Sequence, residues 1–460
     1  MELEEIKNKV NKISRENSID VQAAWDILFF DEFLERLSKS NYKNRFVLKG
    51  GFYLQSIVGT NSRSTMDIDL KLIGSDISNE EIYQIINEIC ESHDSSVLLK
   101  PINVNDITAE TKYGGKTVKI EAKFYNIKKT FGIDIGFGDI VTPYPINYDY
   151  YLKFKNSECK LLSYPIETCI AEKFETLISK GVNNSRSKDL LDIYLYNSQE
   201  YDAFLLNASI INTFNFRGTT FERNYIEETL NNIFNSVRIK ELYENYRKKH
   251  KFALNISFDM CKNAVYDVFN KLVFEEKINL NEYNIELHIV RHGQDEKDKL
   301  GGCSDNHLIE EGIVQVNNLK NELDDNYNLF ISSDLNRCVE TSKILNEKLE
   351  MNIVYDSNFK EVNNGDLKNL TLEEFYNKYP GLYFSSLKMD ERYPNGESPN
   401  DFYNRVSKAF KSLLENNRGK KILLVTHGGV ITVILCLLKG YKYSNFVKIV
   451  PKTGTITKLK

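Results

Sequence analysis

The sequence lacks the features that mark secreted, disulfide-bonded or membrane-spanning chains. Its seven cysteines, at positions 90, 159, 169, 261, 303, 338 and 436, form no Cys-x-x-Cys pair, which favours reduced thiols over a disulfide framework or a zinc site. Residues 1–5 are polar and acidic, unlike the start of a secretory signal. Even the largely apolar run 430–438 falls far short of the ~20 residues that span a bilayer. We therefore expect a cytoplasmic protein with no membrane partner.

The sequence also lacks an excess of positive charge. Lys plus Arg and Asp plus Glu number 24 each from Asn284 onward, so the net charge of −5 arises entirely before that residue. This balance does not indicate a nucleic-acid-binding protein. One basic run, 247–251, could contact phosphates, but a solvated helix face is the better interpretation.

The length of 460 residues and the pattern of apolar residues predict two domains. Helical spacing dominates from about residue 165 to residue 274, whereas strands and helices alternate from residue 286 to the end. Such alternation predicts an α/β domain with a mostly parallel sheet covered on both faces. We place the boundary near 277–283, which gives one domain over 1–280 and a second over 284–460.

In the C-terminal half, basic side chains follow predicted strands. Arg291 and His292 come directly after the apolar run 286–290, and His427 follows 421–426. Ligands of parallel sheets bind at the carboxyl ends of the strands, where these residues would meet. Guanidinium groups such as those of Arg291 and Arg337 grip phosphate with two donors, and a ring nitrogen of His292 can attack phosphorus to give a phosphohistidine. His427 would supply a second imidazole facing the first.

Five segments of the C-terminal half together resemble the histidine phosphatase (phosphoglycerate-mutase-like) superfamily over 284–460. They are Arg291-His292-Gly293, 302–305 with Gly312, 332–341, Glu361 with Gly365, and Thr426-His427-Gly428-Gly429. The resemblance implies a three-layer α/β/α domain that needs no cofactor and acts on a phosphorylated small molecule, nucleotide, RNA end or protein. It also implies site roles: His292 as nucleophile, Arg291, Arg337 and His427 as phosphate clamp, and Glu361 as proton donor to the leaving oxygen.

Two departures from the family pattern bear on the substrate. The family often has Thr and Asn shortly after the glycine, whereas this chain has the acidic run 294–298, which would place an extra negative charge near the phosphate. The chain also lacks the long insertion between Glu361 and His427 that is expected of the mutases. These features favour a phosphatase over a phosphoglycerate mutase.

The N-terminal half contains carboxylates on predicted neighbouring strands. Asp67 and Asp69 alternate along one strand and so share a face, and Asp134 lies on another strand. Three such carboxylates would hold two Mg²⁺ ions for attack on a nucleotide α-phosphate. Gly50 and Gly51 lead into a predicted helix, whose first N–H groups favour a polyphosphate.

This arrangement resembles the nucleotidyltransferases of the AbiEii/AbiGii toxin family from about residue 20 to residue 200. The matching segments are 48–51, 63–69, 171–174 and 186–192. The resemblance implies a nucleotidyltransferase α/β core with a helical extension, Asp67 and Asp69 as metal ligands, and Lys173 and Asp192 lining the nucleotide site. Lys188 and Asp189 either bind substrate or form a salt-bridged helix face; the sequence leaves both interpretations open.

The leading hypothesis is a bifunctional, toxin-like enzyme. Its N-terminal domain would transfer a nucleotidyl group from an NTP to a tRNA, another RNA or a protein with Mg²⁺, and its C-terminal domain would hydrolyse phosphate monoesters. In a second hypothesis, a catalytically silent nucleotide- or RNA-binding module directs the phosphatase. A third makes the chain a metabolic phosphatase with a silent partner domain. The intact set of three carboxylates favours the first hypothesis, because a binding module does not need it.

Overall fold

The computed structural model describes residues 2–17, 19–59, 67–74, 77–91, 95–107 and 114–460. The chain forms two compact units, Met1–Leu272 and Val273–Lys460. The region predicted as the boundary, 277–283, lies in the second unit, where Leu280–Tyr283 form a 3-10 helix. None of the helices in these ranges combines the length and apolar character that a bilayer crossing needs.

The N-terminal unit begins with two helices, continues as a mixed sheet and ends as a run of helices. Its strands are β1 (Phe46–Lys49), β2 (Asp67–Leu72), β3 (Val97–Asp106), β4 (Gly115–Phe124), β5 (Ile127–Gly136), β6 (Ile146–Leu152) and β7 (Ser157–Ser163). Its helices are α1 (Leu3–Glu16), α2 (Val21–Lys39), α3 (Gly50–Val58), α4 (Asn79–Cys90), α5 (Ile166–Lys180), α6 (Ser187–Asn197), α7 (Ala203–Arg217), α8 (Arg223–Asn235), α9 (Val237–Lys249) and α10 (Phe258–Asn270). The region that contains only helices thus begins at Ile166, close to the predicted residue 165.

The described strands of this unit form one sheet in the order β3-β4-β5-β2-β1-β7-β6. β2 runs parallel to β5 in its centre, and β6 lies at an edge. Helix α2 packs its buried face, including Phe29, Phe30 and Phe33, into the core of the unit, and Asp20 caps its first turn by accepting a hydrogen bond from the N–H of Ala23.

The C-terminal unit is the α/β domain with a mostly parallel sheet that its sequence predicts. Its strands are β8 (Glu286–Arg291), β9 (Leu329–Ser332), β10 (Ile353–Tyr355), β11 (Lys421–Thr426) and β12 (Ile456–Leu459), and its helices are α11 (Glu310–Leu319), α12 (Asn336–Leu349), α13 (Leu372–Lys378), α14 (Pro399–Asn416) and α15 (Gly428–Lys439). The order is β10-β9-β11-β8-β12, and only β12 is antiparallel to its neighbour. Residues of β8 and β11 are buried, as continuous apolar runs in a two-sided parallel sheet require.

Candidate active sites

The sheet of the C-terminal unit brings His292 and His427 together. Thr426 pairs with Arg291 at the ends of the parallel strands β11 and β8, so the next residue of each strand is a histidine. The two ring centroids lie 5.2 Å apart, and both side chains are buried. The predicted meeting of the two imidazoles at the carboxyl ends of the strands is what the structure shows.

The hydrogen bonds of His292 fix which of its ring nitrogens can react. Its Nδ1 lies 2.8 Å from the carbonyl oxygen of Gly293, and only a protonated Nδ1 can donate to that acceptor. The lone pair therefore belongs to Nε2, which accepts a 3.3 Å hydrogen bond from Nε of Arg337. Burial, with the nearby charges of Arg337 and Arg291, holds the pKa of His292 well below its ordinary value. The ring is thus neutral and ready to act as a nucleophile through Nε2.

Arg337 stands in the first turn of α12 with a buried guanidinium group held in a fixed orientation. Its two terminal nitrogens donate to the carbonyl oxygens of Ser304, at 3.0 Å, and of Gly302, at 2.7 Å. Gly302 has a φ of +72°, and a Cβ there would lie 2.7 Å from the side chain of Asn364. Backbone carbonyls thus aim the remaining nitrogen, Nε, at His292.

Arg291 is the second guanidinium at this site. One terminal nitrogen donates to the carbonyl of Pro451 at 2.7 Å, while its buried Nε has no acceptor among the described residues. Burial lowers the pKa of this group, and the charge of Glu361 partly opposes that shift. A buried donor without an acceptor is costly, and a bound anion would remove the cost.

His427 contacts two small side chains that sequence reasoning assigned no role. Its Nε2 lies 2.8 Å from Oγ of Ser333 and 3.3 Å from Sγ of Cys338. Burial and the charge of Arg337 hold its pKa well below the ordinary value. Ser333 and Cys338 both belong to the matched segment 332–341, and Ser333 also follows the predicted strand 329–332.

Glu361 is anchored beside the start of α15. Its Oε2 accepts a 2.9 Å hydrogen bond from the N–H of Gly429, and its Oε1 accepts one of 3.1 Å from the N–H of Val362. A Cβ on Gly429 would lie 2.3 Å from Oε1, so glycine is required for this approach. The predicted proton donor is therefore held next to Gly429, two residues after His427.

Asp295 belongs to the run 294–298, which departs from the family pattern and is predicted to place an extra negative charge near the phosphate. Its carboxylate does lie beside Arg337. Its Oδ2 lies 3.6 Å from Nε of Arg337 and accepts a 3.3 Å hydrogen bond from Asn306. The same Arg337 nitrogen contacts His292, so Asp295 stands at the edge of the pocket and competes for the guanidinium.

In the N-terminal unit, β2 and β5 bring together the three predicted metal ligands. Asp69 pairs in register with Asp134, and Asp67 pairs with Gly132, so all three aspartates belong to the same face. Asp67 accepts from the N–H of Gly132 at 3.1 Å, and Asp134 accepts from Oγ1 of Thr117 at 2.6 Å. Each hydrogen bond uses one carboxylate oxygen.

The third carboxylate, Asp69, packs against the start of α3. Its Oδ2 accepts a 3.1 Å hydrogen bond from the N–H of Gly51, and a Cβ on Gly50, whose φ is +69°, would lie 2.1 Å from the same oxygen. The two glycines therefore hold a carboxylate in this structure, whereas the sequence predicts that they bind a polyphosphate. The anion at the positive end of helix α3 is therefore the carboxylate of Asp69 and not a phosphate.

The aspartates are held with raised pKa values. Burial is the main cause for each, and the charges of the neighbouring aspartates add to it. Lys188 lowers the pKa of both Asp67 and Asp134, which places this lysine on the aspartate side of the unit. A cation bound beside these three carboxylates would stabilise their charged forms.

Lys173, Asp189 and Asp192 form a buried ion cluster. Nζ of Lys173 lies 2.7 Å from Asp189 Oδ1 and 3.0 Å from Asp192 Oδ2, and both aspartates are inaccessible to solvent. Asp189 and Asp192 thus orient Lys173, whose charge reaches Asp69. The segment containing Arg63, Ser64, Thr65 and Met66, part of the resemblance, lies outside the described residues.

A second ion network in this unit was missed by sequence reasoning. Nζ of Lys49 lies 3.1 Å from Asp139 and 3.1 Å from Glu172, and Arg217 lies 3.1 Å from Asp139. Despite burial, the charges of Lys49 and Arg217 lower the pKa of Asp139 to about 2. Lys49 and Glu172 each precede a predicted site residue in the matched segments, but nothing in the sequence pairs them.

Two family models match the chain, one for each unit. "Nucleotidyl transferase AbiEii toxin, Type IV TA system" matches residues 32–264, and "Histidine phosphatase superfamily (branch 1)" matches residues 287–460.

Individual relatives and solved structures match the C-terminal part. "Phosphoglycerate mutase-like protein 4" of Arabidopsis thaliana is 32% identical over 155 residues, which are 32% of this chain and 67% of that protein. "Uncharacterized phosphatase PhoE" of Bacillus subtilis is 30% identical over 156 residues, 33% of this chain and 76% of that protein. The alpha-ribazole phosphatase from Shigella flexneri is a structural neighbour with 22% identity and a TM-score of 0.36, covering 38% of this chain and 90% of that one. Mycobacterial glucosyl-3-phosphoglycerate phosphatase is another, with 23% identity and a TM-score of 0.33, covering 38% and 89%.

Proposed function

Since the chain belongs to the AbiEii nucleotidyl transferase family through residues 32–264 and to the histidine phosphatase superfamily through residues 287–460, we propose that this enzyme carries out two separate reactions. The C-terminal unit hydrolyses phosphate monoesters through a phosphohistidine. The N-terminal unit transfers a nucleotidyl group from an NTP to an acceptor.

The first half of hydrolysis follows from the tautomer of His292. Nε2 attacks phosphorus and forms the N–P bond while the ester P–O bond breaks, and Nδ1 keeps its proton on the carbonyl of Gly293. Arg337 and Arg291 supply donors to the phosphoryl oxygens, whose charge has to be stabilised. Protonated Glu361 gives its proton to the leaving oxygen, which departs as an alcohol.

The second half returns the site to its starting state. The carboxylate of Glu361 takes a proton from water, the water oxygen attacks phosphorus, and the N–P bond breaks toward Nε2. Inorganic phosphate leaves, and His292 is neutral again. The observation that carries this assignment is the hydrogen bond that leaves the lone pair of His292 on Nε2, beside Arg337.

The N-terminal residues fit a divalent metal ion of the Mg²⁺ type. Asp67, Asp69 and Asp134 each keep one carboxylate oxygen without a hydrogen bond to a described residue, and hard cations prefer such oxygens. Bound there, Mg²⁺ would supply positive charge to the phosphates of an NTP. The three groups do not form the tightest cluster in the described chain. Only Glu286, His288 and Asp324 bring three ligand atoms within 4.8 Å of one another, and Lys421 engages two of those residues.

The other N-terminal residues position the reactants. Lys173, oriented by Asp189 and Asp192, brings a positive charge toward Asp69 and the phosphates that it faces. Lys188 adds a second charge on the side of Asp67 and Asp134. The acceptor is an RNA, of which tRNA is the first candidate, or a protein. Because the phosphatase belongs to the same chain, its local concentration near the product of nucleotidyl transfer is high. In a toxin-like protein, the second reaction could then either oppose the first or follow it in sequence.

The deciding experiment incubates the purified chain with each NTP labelled at the α-phosphate, Mg²⁺, and bulk tRNA or cell protein. We expect label on one acceptor class with at least one NTP. Label on neither class with every NTP would support the alternative, in which a nucleotide- or RNA-binding module directs the phosphatase.

A further inference from the structure

The segment 358–361, which ends at the proposed proton donor Glu361, is held in place by side chains of other elements. Each of its four carbonyl oxygens accepts a hydrogen bond from a side chain: that of Phe359 from Oγ1 of Thr426, and the other three from Arg405. Only its first two residues belong to a helix, a single 3-10 turn. Because no regular ladder of backbone hydrogen bonds fixes this segment, the position of Glu361 depends on these side chains.

Arg405, in helix α14, uses its whole guanidinium group for this purpose. Nη1 donates to the carbonyl oxygens of Asn358 at 2.8 Å and Lys360 at 3.1 Å, and Nη2 donates to that of Glu361 at 3.2 Å. Nε and Nη2 also donate to the two carboxylate oxygens of Glu397, at 2.7 Å and 2.8 Å. All five N–H donors of the group therefore have acceptors within the chain, and none is left for a phosphate.

Glu397 extends the contact to the other side of Glu361. Its Oε2 accepts a 2.9 Å hydrogen bond from the N–H of Asn363, and its own N–H donates to the carbonyl oxygen of Asn363 at 2.8 Å. The two-pronged pair with Arg405 is largely shielded from water, with 22% of the Arg405 side chain and 17% of the Glu397 side chain exposed. The pair thus holds the backbone before Glu361 through Arg405 and the backbone after it through Glu397.

The carboxylate of Glu361 has few contacts of its own that could replace this support. It accepts hydrogen bonds from the N–H groups of Val362 and Gly429. Val362 is the next residue of the chain and moves with Glu361, so of these two bonds only that from Gly429 ties the carboxylate to another element. A proton donor has to lie within hydrogen-bond distance of the oxygen that it protonates, and a misplacement of about 1 Å can slow a reaction by roughly 10².

The core of the domain fixes Arg405 in turn. Its Cζ lies 5.2 Å from the ring centroid of Phe402, which stands one turn earlier on α14 and is buried. The phosphate clamp is separate from this arrangement, because the hydrogen bonds of Arg291 and Arg337 go to other parts of the chain. Loss of Arg405 should therefore displace the acid and leave the guanidinium groups that face phosphate in place.

We propose that Arg405, paired with Glu397, is a positioning residue for the acid step: it holds the backbone of Glu361 so that the carboxyl group meets the leaving oxygen. The proton passes from Glu361 to that oxygen while the ester P–O bond breaks and the N–P bond to His292 forms, and Arg405 neither gains nor loses a proton. This inference rests on the proposed phosphatase reaction. A merely structural arginine would change stability and would affect all substrates alike.

The test measures the first half of the reaction alone, as the rate at which radiolabelled phosphohistidine forms on the full-length protein after rapid quench. The substrates are glycerol phosphate, a poor leaving group, and nitrophenyl phosphate, a good one. Arg405→Lys keeps the charge, but a single ammonium group cannot reach all of these acceptors. We expect glycerol phosphate to react about tenfold to a hundredfold more slowly, and nitrophenyl phosphate to change by less than about threefold. Competitive inhibition by inorganic phosphate should be unchanged.

A double variant separates positioning from other effects. Adding Arg405→Lys to Glu361→Gln should cause no further loss with glycerol phosphate, because the proton that Arg405 helps to deliver is already absent. Glu397→Gln, which keeps the shape of its side chain, is a second and milder variant that should show the same dependence on the leaving group. Arg418→Lys is the matched control: Arg418 also donates to a backbone carbonyl, that of Glu282 at 2.8 Å, but it precedes strand β11, whereas the site follows that strand. Melting temperatures show which variants are folded.

Three results would overturn the proposal: equal losses with the two substrates, a loss in Arg405→Lys that adds in full to that of Glu361→Gln, or wild-type rates in both Arg405→Lys and Glu397→Gln. Each of them leaves the assignment of His292 intact, since the wild type still forms a phosphohistidine. A wild type that forms none with either substrate would overturn the proposed phosphatase reaction itself, and this proposal with it.

Discussion

In the C-terminal unit the groups that face phosphate are two guanidinium ions and two neutral imidazoles, whereas the N-terminal unit presents three aspartates to the same kind of substrate. The first site carries its own positive charge. The second carries negative charge, and burial, together with the charges of the neighbouring aspartates, raises the pKa values of its carboxylates. The comparison shows that the two candidate sites hold opposite charges, from which we predict that only the N-terminal reaction needs a metal ion.

The largest effect should come from His292→Ala. The variant keeps Arg291 and Arg337 but cannot form the N–P bond, so hydrolysis of an aryl phosphate should fall to the uncatalysed rate. Acid-labile, alkali-stable phosphate should be trapped on the wild type only, and nucleotidyl transfer should be unchanged. Turnover like that of the wild type would remove the assignment of the C-terminal site.

Asp69→Asn should abolish transfer and leave hydrolysis intact, because it removes one of the three carboxylates that we propose bind the metal ion. Although the variant loses transfer activity, it should be more stable than the wild type. The folded state raises the pKa of Asp69, so it binds the proton more tightly than the unfolded chain does and loses stability as pH rises through this range. At pH 7 in EDTA, the uncharged variant should therefore melt a few degrees higher than the wild type. Mg²⁺ should reduce this difference, and a lower melting temperature in EDTA would contradict the electrostatic account.

Glu361→Gln should separate substrates by their leaving groups. A poor leaving group such as a sugar hydroxyl needs a proton in the transition state, so its hydrolysis should slow by roughly 10²–10⁴. A nitrophenolate needs no proton and should lose far less. Equal losses for both substrates would show that Glu361 has a structural role through Gly429.

The pH profile of hydrolysis tests the neutral state of the histidines. Because the pKa of His292 lies well below its ordinary value, Nε2 should stay unprotonated as pH falls below about 6.5. The rate of phosphohistidine formation, measured by rapid quench, should not decline with an apparent pKa near that value. A decline there that His427→Asn leaves unchanged would show an ordinary His292.

The smallest effect should be that of Asp295→Asn. Removing a negative charge 3.6 Å from Nε of Arg337 should tighten the binding of inorganic phosphate several-fold, as competitive inhibition would show. Asp298→Asn is the control, since Asp298 is exposed and lies on the same loop. Weaker phosphate binding in Asp295→Asn would mean that the carboxylate positions Arg337 for the substrate.

The sequence predicted the C-terminal site more completely than the N-terminal one. His292 and His427 directly follow two neighbouring parallel strands. A strand followed by a histidine is a local pattern, and here it is enough to predict that the two rings meet. The partners of Lys49, by contrast, come from a loop residue, Asp139, and from helix residues over a hundred positions away, such as Glu172. Such pairs depend on tertiary packing and leave no periodic signal. The strands β3, β6 and β7 were not predicted either.

The most direct test of two sites with opposite charge requirements is one experiment on the full-length wild type with and without EDTA. Transfer of label from an NTP to RNA or protein and hydrolysis of an aryl phosphate are followed in the same samples. We predict that EDTA stops the transfer and leaves the rate of hydrolysis unchanged. Transfer that persists in EDTA, or a parallel loss of hydrolysis, would contradict the account.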